Sequence, residues 1–404
     1  MKTKLIAISL FVATTVTVTV FPTIQHALAT PIQSLPVINP TNILPVANEH
    51  PKIEVVFVLD TTGSMSGLID AAKEKIWSIA STMASAQTAP NIKMGLVVYR
   101  DRGDAYITQN VTLSNDLDSM YAQLMDFKAD GGGDTPESVN QALYDAVHNM
   151  GWSQGQQTYK VIFLVGDAPA HMDYQDDVKY PETMAIAQQK GIIINTIQAG
   201  QDTTTTINWQ RVASLGNGNY FQVEQAGNAV AIATPFDKKM AQLSAKLDDT
   251  RLYYGNEEQK VKQARKVAAA TKLHKEASDE SRARRATFNA APSGKSNFLG
   301  DGELVDAISS GRVELSSIAN KNLPESIQEM TPEKQEIVIR EKAKKRDQLQ
   351  QEITILAEQR DDYLKKEVAD AGGKKDSLDA KIYSSIRAQA EEKGIIYDED
   401  NAKY

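Results

Sequence analysis

The sequence predicts an α/β chain: a doubly wound, mostly parallel sheet followed by a mainly α-helical C-terminal region. Three observations carry this. From Lys52 to about residue 235, short β-branched runs alternate with longer amphipathic stretches, the order expected of βαβ units. Several of those runs, such as "KIEVVFVLD" and "YKVIFLVGD", are apolar without a period of two, as strands are when helices cover both sheet faces. Beyond Pro235 the β-branched runs stop, and Ala, Lys, Glu, Asp and Arg follow at helical spacing.

The first residues read differently. Lys2 and Lys4, the apolar run "LIAISLFVATTVTVTVF" and the small-x-small Ala27–Ala29 have the form of a secretory signal peptide over 1–29, with a mature start near Thr30. Export to a bacterial periplasm or the extracellular space is the expectation. The absence of cysteine excludes disulfides and, in an exported chain of 404 residues, fits a bacterial source. Residues 30–51 carry five prolines and little charge, the composition of an extended linker. No later stretch is apolar enough to span a membrane, so no transmembrane segment is expected after signal cleavage. A formal charge of −8 argues against nucleic-acid binding, which needs a basic face.

Within 52–235 the strands expected are 52–60, "IKMGLVVYR" at 92–100, a run near 106–112, "YKVIFLVGD" at 159–167, "GIIINTIQAG" at 191–200 and "NYFQV" at 219–223. Helices fall at 66–86, 116–127, 137–150, 181–190 and 205–215. Residues 236–290 read as helical, 291–302 as a break, and 331–370 as a long helix. Ile339, Leu349, Ile353, Leu356 and Tyr363 form its apolar seam, interrupted by Lys342, Arg346 and Arg360, so a coiled coil is expected in part at most. "AGG" at 371–373 ends it, and a last helix runs to Gly394. This half, 236–404, is expected to pack on the sheet domain or to mediate assembly.

The chemistry gathers where a doubly wound sheet binds ligands, beyond the carboxyl ends of its strands. "DTTGSM" puts Asp60 at a strand end, with Thr62 and Ser64 following at alternate positions. "DGGGDTPES" at 130–138 turns on its glycines and brings Asp134 and Thr135 to a helix start. "VIFLVGDAP" ends another buried strand at Asp167. Carboxylates and hydroxyls without His or Cys suit a hard ion, Mg2+ or Mn2+. Capping and turn chemistry also favour Thr62, Ser64, Asp134 and Thr135, but they do not explain two carboxylates converging from buried strands, which would repel without a cation.

These three motifs resemble a von Willebrand factor type A domain with a metal-ion-dependent adhesion site, over residues 52–235. The family's Asp-x-Ser-x-Ser stands here as Asp60-x-Thr62-x-Ser64. Its later Thr corresponds to Thr135 and its later Asp to Asp167, although "GDA" replaces the usual Thr-Asp-Gly and Asp134 could stand in for Thr135. The resemblance implies a non-enzymatic module that binds a protein partner, the ion bridging to the partner's acidic side chain.

Other signals carry less. Arg102-Gly103-Asp104 reads as a charged turn. "PSGKS" at 292–296 lacks the upstream glycine of a phosphate loop, with Asn289 in its place. "RARR" at 282–285 reads as a solvated helix face or a local acidic contact. The loop 167–177, with His171, Asp173, Asp176 and Asp177, is the basis of an alternative, a metal-dependent hydrolase, though no nucleophile motif accompanies the histidine. A third reading makes the helical half an envelope scaffold.

Overall fold

The computed structural model describes residues 50–67, 69–133, 135–223, 232–370 and 378–398. The expected signal peptide, nearly all of the Pro-rich linker, and Asp134 lie outside them.

Six strands form one sheet: β1 Lys52–Asp60, β2 Asn91–Tyr99, β3 Thr108–Ser114, β4 Tyr159–Gly166, β5 Ile192–Ala199 and β6 Tyr220–Val223. Their order is β3-β2-β1-β4-β5-β6, with β3 antiparallel at one edge and the rest parallel. The order reverses between β1 and β4, and the crevice at such a reversal is where open α/β sheets bind ligands. Five helices accompany the sheet: α1 Ile69–Ala84, α2 Leu117–Leu124, α3 Val139–His148, α4 Tyr180–Gln189 and α5 Thr203–Leu215. The helix expected from residue 66 starts later, because Gly63–Gly67 winds into a tighter 3-10 turn. Asp116 caps α2 by accepting from the Ser119 N–H, and Asp202 caps α5 in the same way through Thr205.

After the sheet come α6 Asp237–Asp248, α7 Glu257–Glu276, α8 Asp279–Ala290, the short α9 Lys295–Leu299, α10 Leu304–Ser309 and α11 Glu325–Gln328, then the long α12 Pro332–Asp370 and finally α13 Leu378–Glu391. The described residues from His50 onward form one compact unit.

Alternate residues of each strand serve opposite faces. Val56, Val58, Ile162, Leu164 and Ile194 pack on α3, α4 and α5 through Leu143, Val147, Met184 and Trp209. On the other face, Val55, Phe57, Leu59, Val161 and Phe163 meet Trp77 and Ala80 of α1, and also Phe288 of α8 and Ile382, Ile386 and Ala390 of α13. The C-terminal half therefore completes the second helical layer. Its last helix is locked polar-to-polar as well: Gln389 exchanges hydrogen bonds with Asn195 of β5 at 2.9 and 3.1 Å and accepts one from Tyr159 of β4 at 2.7 Å.

The arginines that interrupt the seam of α12 turn inward. Arg346 makes paired hydrogen bonds to Glu303 at 2.9 and 3.0 Å, and Arg360 donates to Asp237 at 2.6 Å. Around them, Ile339, Leu349, Ile353 and Leu364 are buried and Leu356 partly so. Of the two readings of "RARR", the local acidic contact holds for Arg282, which pairs with Asp279, and the solvated face does not hold. Arg284 and Arg285 are both buried, and Arg285 is held by Asp118 of α2 at 2.6 Å and Asp248 of α6 at 2.8 Å. Burial pushes the Asp118 carboxyl up, but the Arg285 charge and hydrogen bonds outweigh it and hold the group below the usual carboxylate range.

Candidate metal centre at the sheet crevice

Asp60 and Asp167 meet because of register. In the parallel pair β1–β4, Leu59 stands opposite Val165, so one step further both strands run out at the same edge. Gly166 permits the approach: a Cβ there would lie 2.6 Å from the Tyr99 hydroxyl and 2.9 Å from Asp60 Oδ2.

The first motif folds back on its own carboxylate. Asp60 Oδ1 accepts from the Thr62 N–H at 2.9 Å and from its hydroxyl at 2.7 Å. The Thr62 and Ser64 hydroxyls are 3.2 Å apart, and Ser64 donates to Asp167 Oδ1 at 2.9 Å. Asp60, Thr62, Ser64 and Asp167 thus form one hydrogen-bonded group drawn from two loops. Asp60 is fully buried, and its Oδ2 has no hydrogen-bond partner among the described residues. Burial first, and then the Asp167 charge, raise its carboxyl to about 7 against the pull of the Thr62 hydrogen bonds.

The third loop lies on the first. Gly63 N–H donates to Gly131 O at 3.1 Å and Asp130 N–H to Thr61 O at 3.1 Å. Gly131 and Gly132 hold φ of +78° and +83°, a region open to glycine at little cost. Asp104 accepts from the Gly132 N–H at 2.9 Å, so the acid of the Arg-Gly-Asp turn is engaged in bracing this loop. Thr135 is exposed on the loop and stands outside the hydrogen-bonded group.

What the sequence did not point to is Glu137, two residues further on. It is buried, its Oε2 has no hydrogen-bond partner among the described residues, and the Thr62 hydroxyl is within hydrogen-bonding reach of its carboxylate. Burial, with the charges of Asp60, Asp101 and Asp104, pushes its carboxyl up to about 9. Tyr99 completes the floor. Burial and the charges of Asp60, Glu137 and Asp167 hold its phenol protonated well above the usual tyrosine range.

The 167–177 loop forms a rim. His171 is buried, its Nδ1 2.7 Å from Asp173 and its Nε2 3.4 Å from Asp101, with its ring stacked on Tyr174 at 3.9 Å. Arg102 pairs with Asp176 and Asp177 and lies over the Tyr174 ring. Both imidazole nitrogens face carboxylates, which clamps the ring in place.

These donors fit a hard cation: oxygen only, two carboxylates and two hydroxyls in contact, and a buried carboxylate oxygen left over. Among the described residues no three His, Cys, Asp or Glu side chains are grouped so as to hold a metal ion by themselves.

Residues 54–234, a little under half of the chain, match the family model described as von Willebrand factor A domain. An ariadne-like RING finger protein of Acanthamoeba polyphaga mimivirus is 28% identical over 122 residues, 30% of this chain and 11% of that protein. The chain thus spans about a tenth of that relative's length. Among solved structures, proximal thread matrix protein 1 from the mussel byssus, with a zinc-occupied MIDAS motif, is 13% identical with a TM-score of 0.36, covering 45% of this chain and 43% of that one. The SpRpn10 VWA domain is 14% identical with a TM-score of 0.34, covering 44% of this chain and 90% of that one.

Proposed function

We propose that this chain is an exported, non-enzymatic binding module whose von Willebrand factor A domain holds a divalent cation, Mg2+ or Mn2+, through Asp60, Thr62, Ser64 and Asp167. The cation's open position takes an acidic side chain from a protein partner, and the helical half contributes assembly or a second contact. The observation that supports this most is the Ser64–Asp167 hydrogen bond at 2.9 Å, which joins two separated loops beside the unpartnered Oδ2 of buried Asp60. Two carboxylates converging at a strand edge repel each other, and a cation between them removes that cost.

Mg2+ or Mn2+ at a hundredfold excess over its dissociation constant is expected to stabilise the protein by about 2.7 kcal/mol. Asp60→Ala and Asp167→Ala are expected to abolish that stabilisation and partner capture from envelope extract while circular dichroism stays native. Partner capture that persists in excess EDTA would overturn the reading. Fractionation of cells that make the full chain tests export directly.

A further inference from the structure

Glu137 is held by its backbone, which leaves its side chain without an evident structural duty. Its N–H donates to Pro169 O at 2.9 Å and its carbonyl accepts from the His171 N–H at 3.1 Å, tying the third loop to the segment after β4. The carboxylate is then carried into the protein, 3% exposed, with Oε2 unpartnered among the described residues. Thr62 approaches it, and a Cβ on Gly132 would lie 3.4 Å from Glu137 Oε1 and 3.5 Å from Thr62 Cβ, which places both on one side of that glycine.

Thr62 donates its single hydroxyl proton to Asp60 Oδ1 at 2.7 Å. A hydroxyl has one proton and two lone pairs. To ligate a cation through oxygen, Thr62 has to turn a lone pair toward it and give its proton to an acceptor on the far side. In the structure that acceptor is Asp60 Oδ1, and an acceptor that is not itself a ligand would leave both Asp60 oxygens to the ion.

We propose that Glu137 is the outer carboxylate of the cation site, accepting the Thr62 hydroxyl proton in a hydrogen bond and so aiming the Thr62 oxygen at the ion. This rests on the reading of Asp60, Thr62, Ser64 and Asp167 as a cation site. Glu137 is a positioning residue: it acts through Thr62 and need not touch the ion. Partners of this kind are worth roughly 10–100-fold in metal affinity.

The test is calorimetric titration of the full chain with Mn2+ alone, as wild type, Glu137→Gln, Thr62→Val, the double variant and Asp60→Ala. Glu137→Gln and Thr62→Val are each expected to weaken Mn2+ binding roughly tenfold or more, and the double variant is expected to bind no worse than the weaker single one, because both remove one link. The metal-free melting temperature of Glu137→Gln is expected to equal or exceed the wild-type value, since an unpaired buried carboxylate is removed; a purely structural role would lower it. Wild-type affinity in Glu137→Gln, or losses that multiply in the double variant, overturns the proposal while the site itself stands. Wild-type affinity in Asp60→Ala removes the site and the proposal together. If the glutamine variant does not fold, Glu137→Ala takes its place in the same cycle.

Discussion

At the scale of single residues, the crevice holds carboxyls that the metal-free protein prefers to keep protonated. Asp60 is raised to about 7 and Glu137 to about 9, both chiefly by burial. The unfolded chain titrates such groups near 4. The folded state therefore binds more protons between those values, and the stability this gives is fully present below about pH 4 and is lost as pH rises through 7 and then 9. In EDTA the melting temperature is expected to fall between pH 5 and pH 9, and less steeply in Asp60→Asn. With Mg2+ present the fall is expected to flatten, because the ion takes the place of the protons. A melting temperature that rises over this range in EDTA would contradict the assignment. Asp60, Thr62, Ser64 and Asp167 were legible in the sequence because each follows directly from an apolar strand. Thr135 was marked by the glycine-rich turn before a helix start and by the resemblance, and it lies exposed. Glu137 was hidden, since "TPES" reads as an ordinary helix start and only the crossing of two loops brings it behind Thr62.

At the scale of elements, charge that looks misplaced in the sequence has buried partners elsewhere in the chain. The pattern of α12 predicted an apolar seam interrupted at Lys342, Arg346 and Arg360; the two arginines form ion pairs to buried acids elsewhere in the chain, and Lys342 donates to the Asp249 carbonyl. The same holds for "RARR", whose Arg285 lies wholly buried between Asp118 and Asp248. Period and composition locate helices, but they cannot say which polar positions have partners far away in the chain. Removing one member of a buried pair leaves the other uncompensated, so Arg285→Ala is expected to cost about 3–5 kcal/mol in urea unfolding. Arg285→Met combined with apolar replacements of Asp118 and Asp248 is expected to cost much less. Equal losses in both would show that packing, and not the stranded charges, dominates there.

At the scale of the whole molecule, the order of strands and helices through residue 223 was readable from hydrophobic runs, because parallel strands buried on both faces leave a strong signal. That 236–404 packs on the sheet domain was one of the two expectations, but that α13 in particular returns to the sheet was not readable, since its sequence says only that it is an amphipathic helix. Ile386 is fully buried against the sheet core, and Ile386→Ala is expected to destabilise the full chain by about 2–5 kcal/mol. A chain truncated after residue 235 is expected to expose that apolar face and to aggregate or bind hydrophobic dyes. A truncated chain that stays monomeric with native-like melting would contradict this.

Gln389 meets Asn195 across 194 positions and Tyr397 meets Met83 across 314. Contacts of such range slow folding, because loop closure has to be completed before they form. A ribosome delivers the sheet long before it delivers the helix that seals it. The nascent chain therefore carries an unfinished hydrophobic surface from the completion of β6 until α13 arrives.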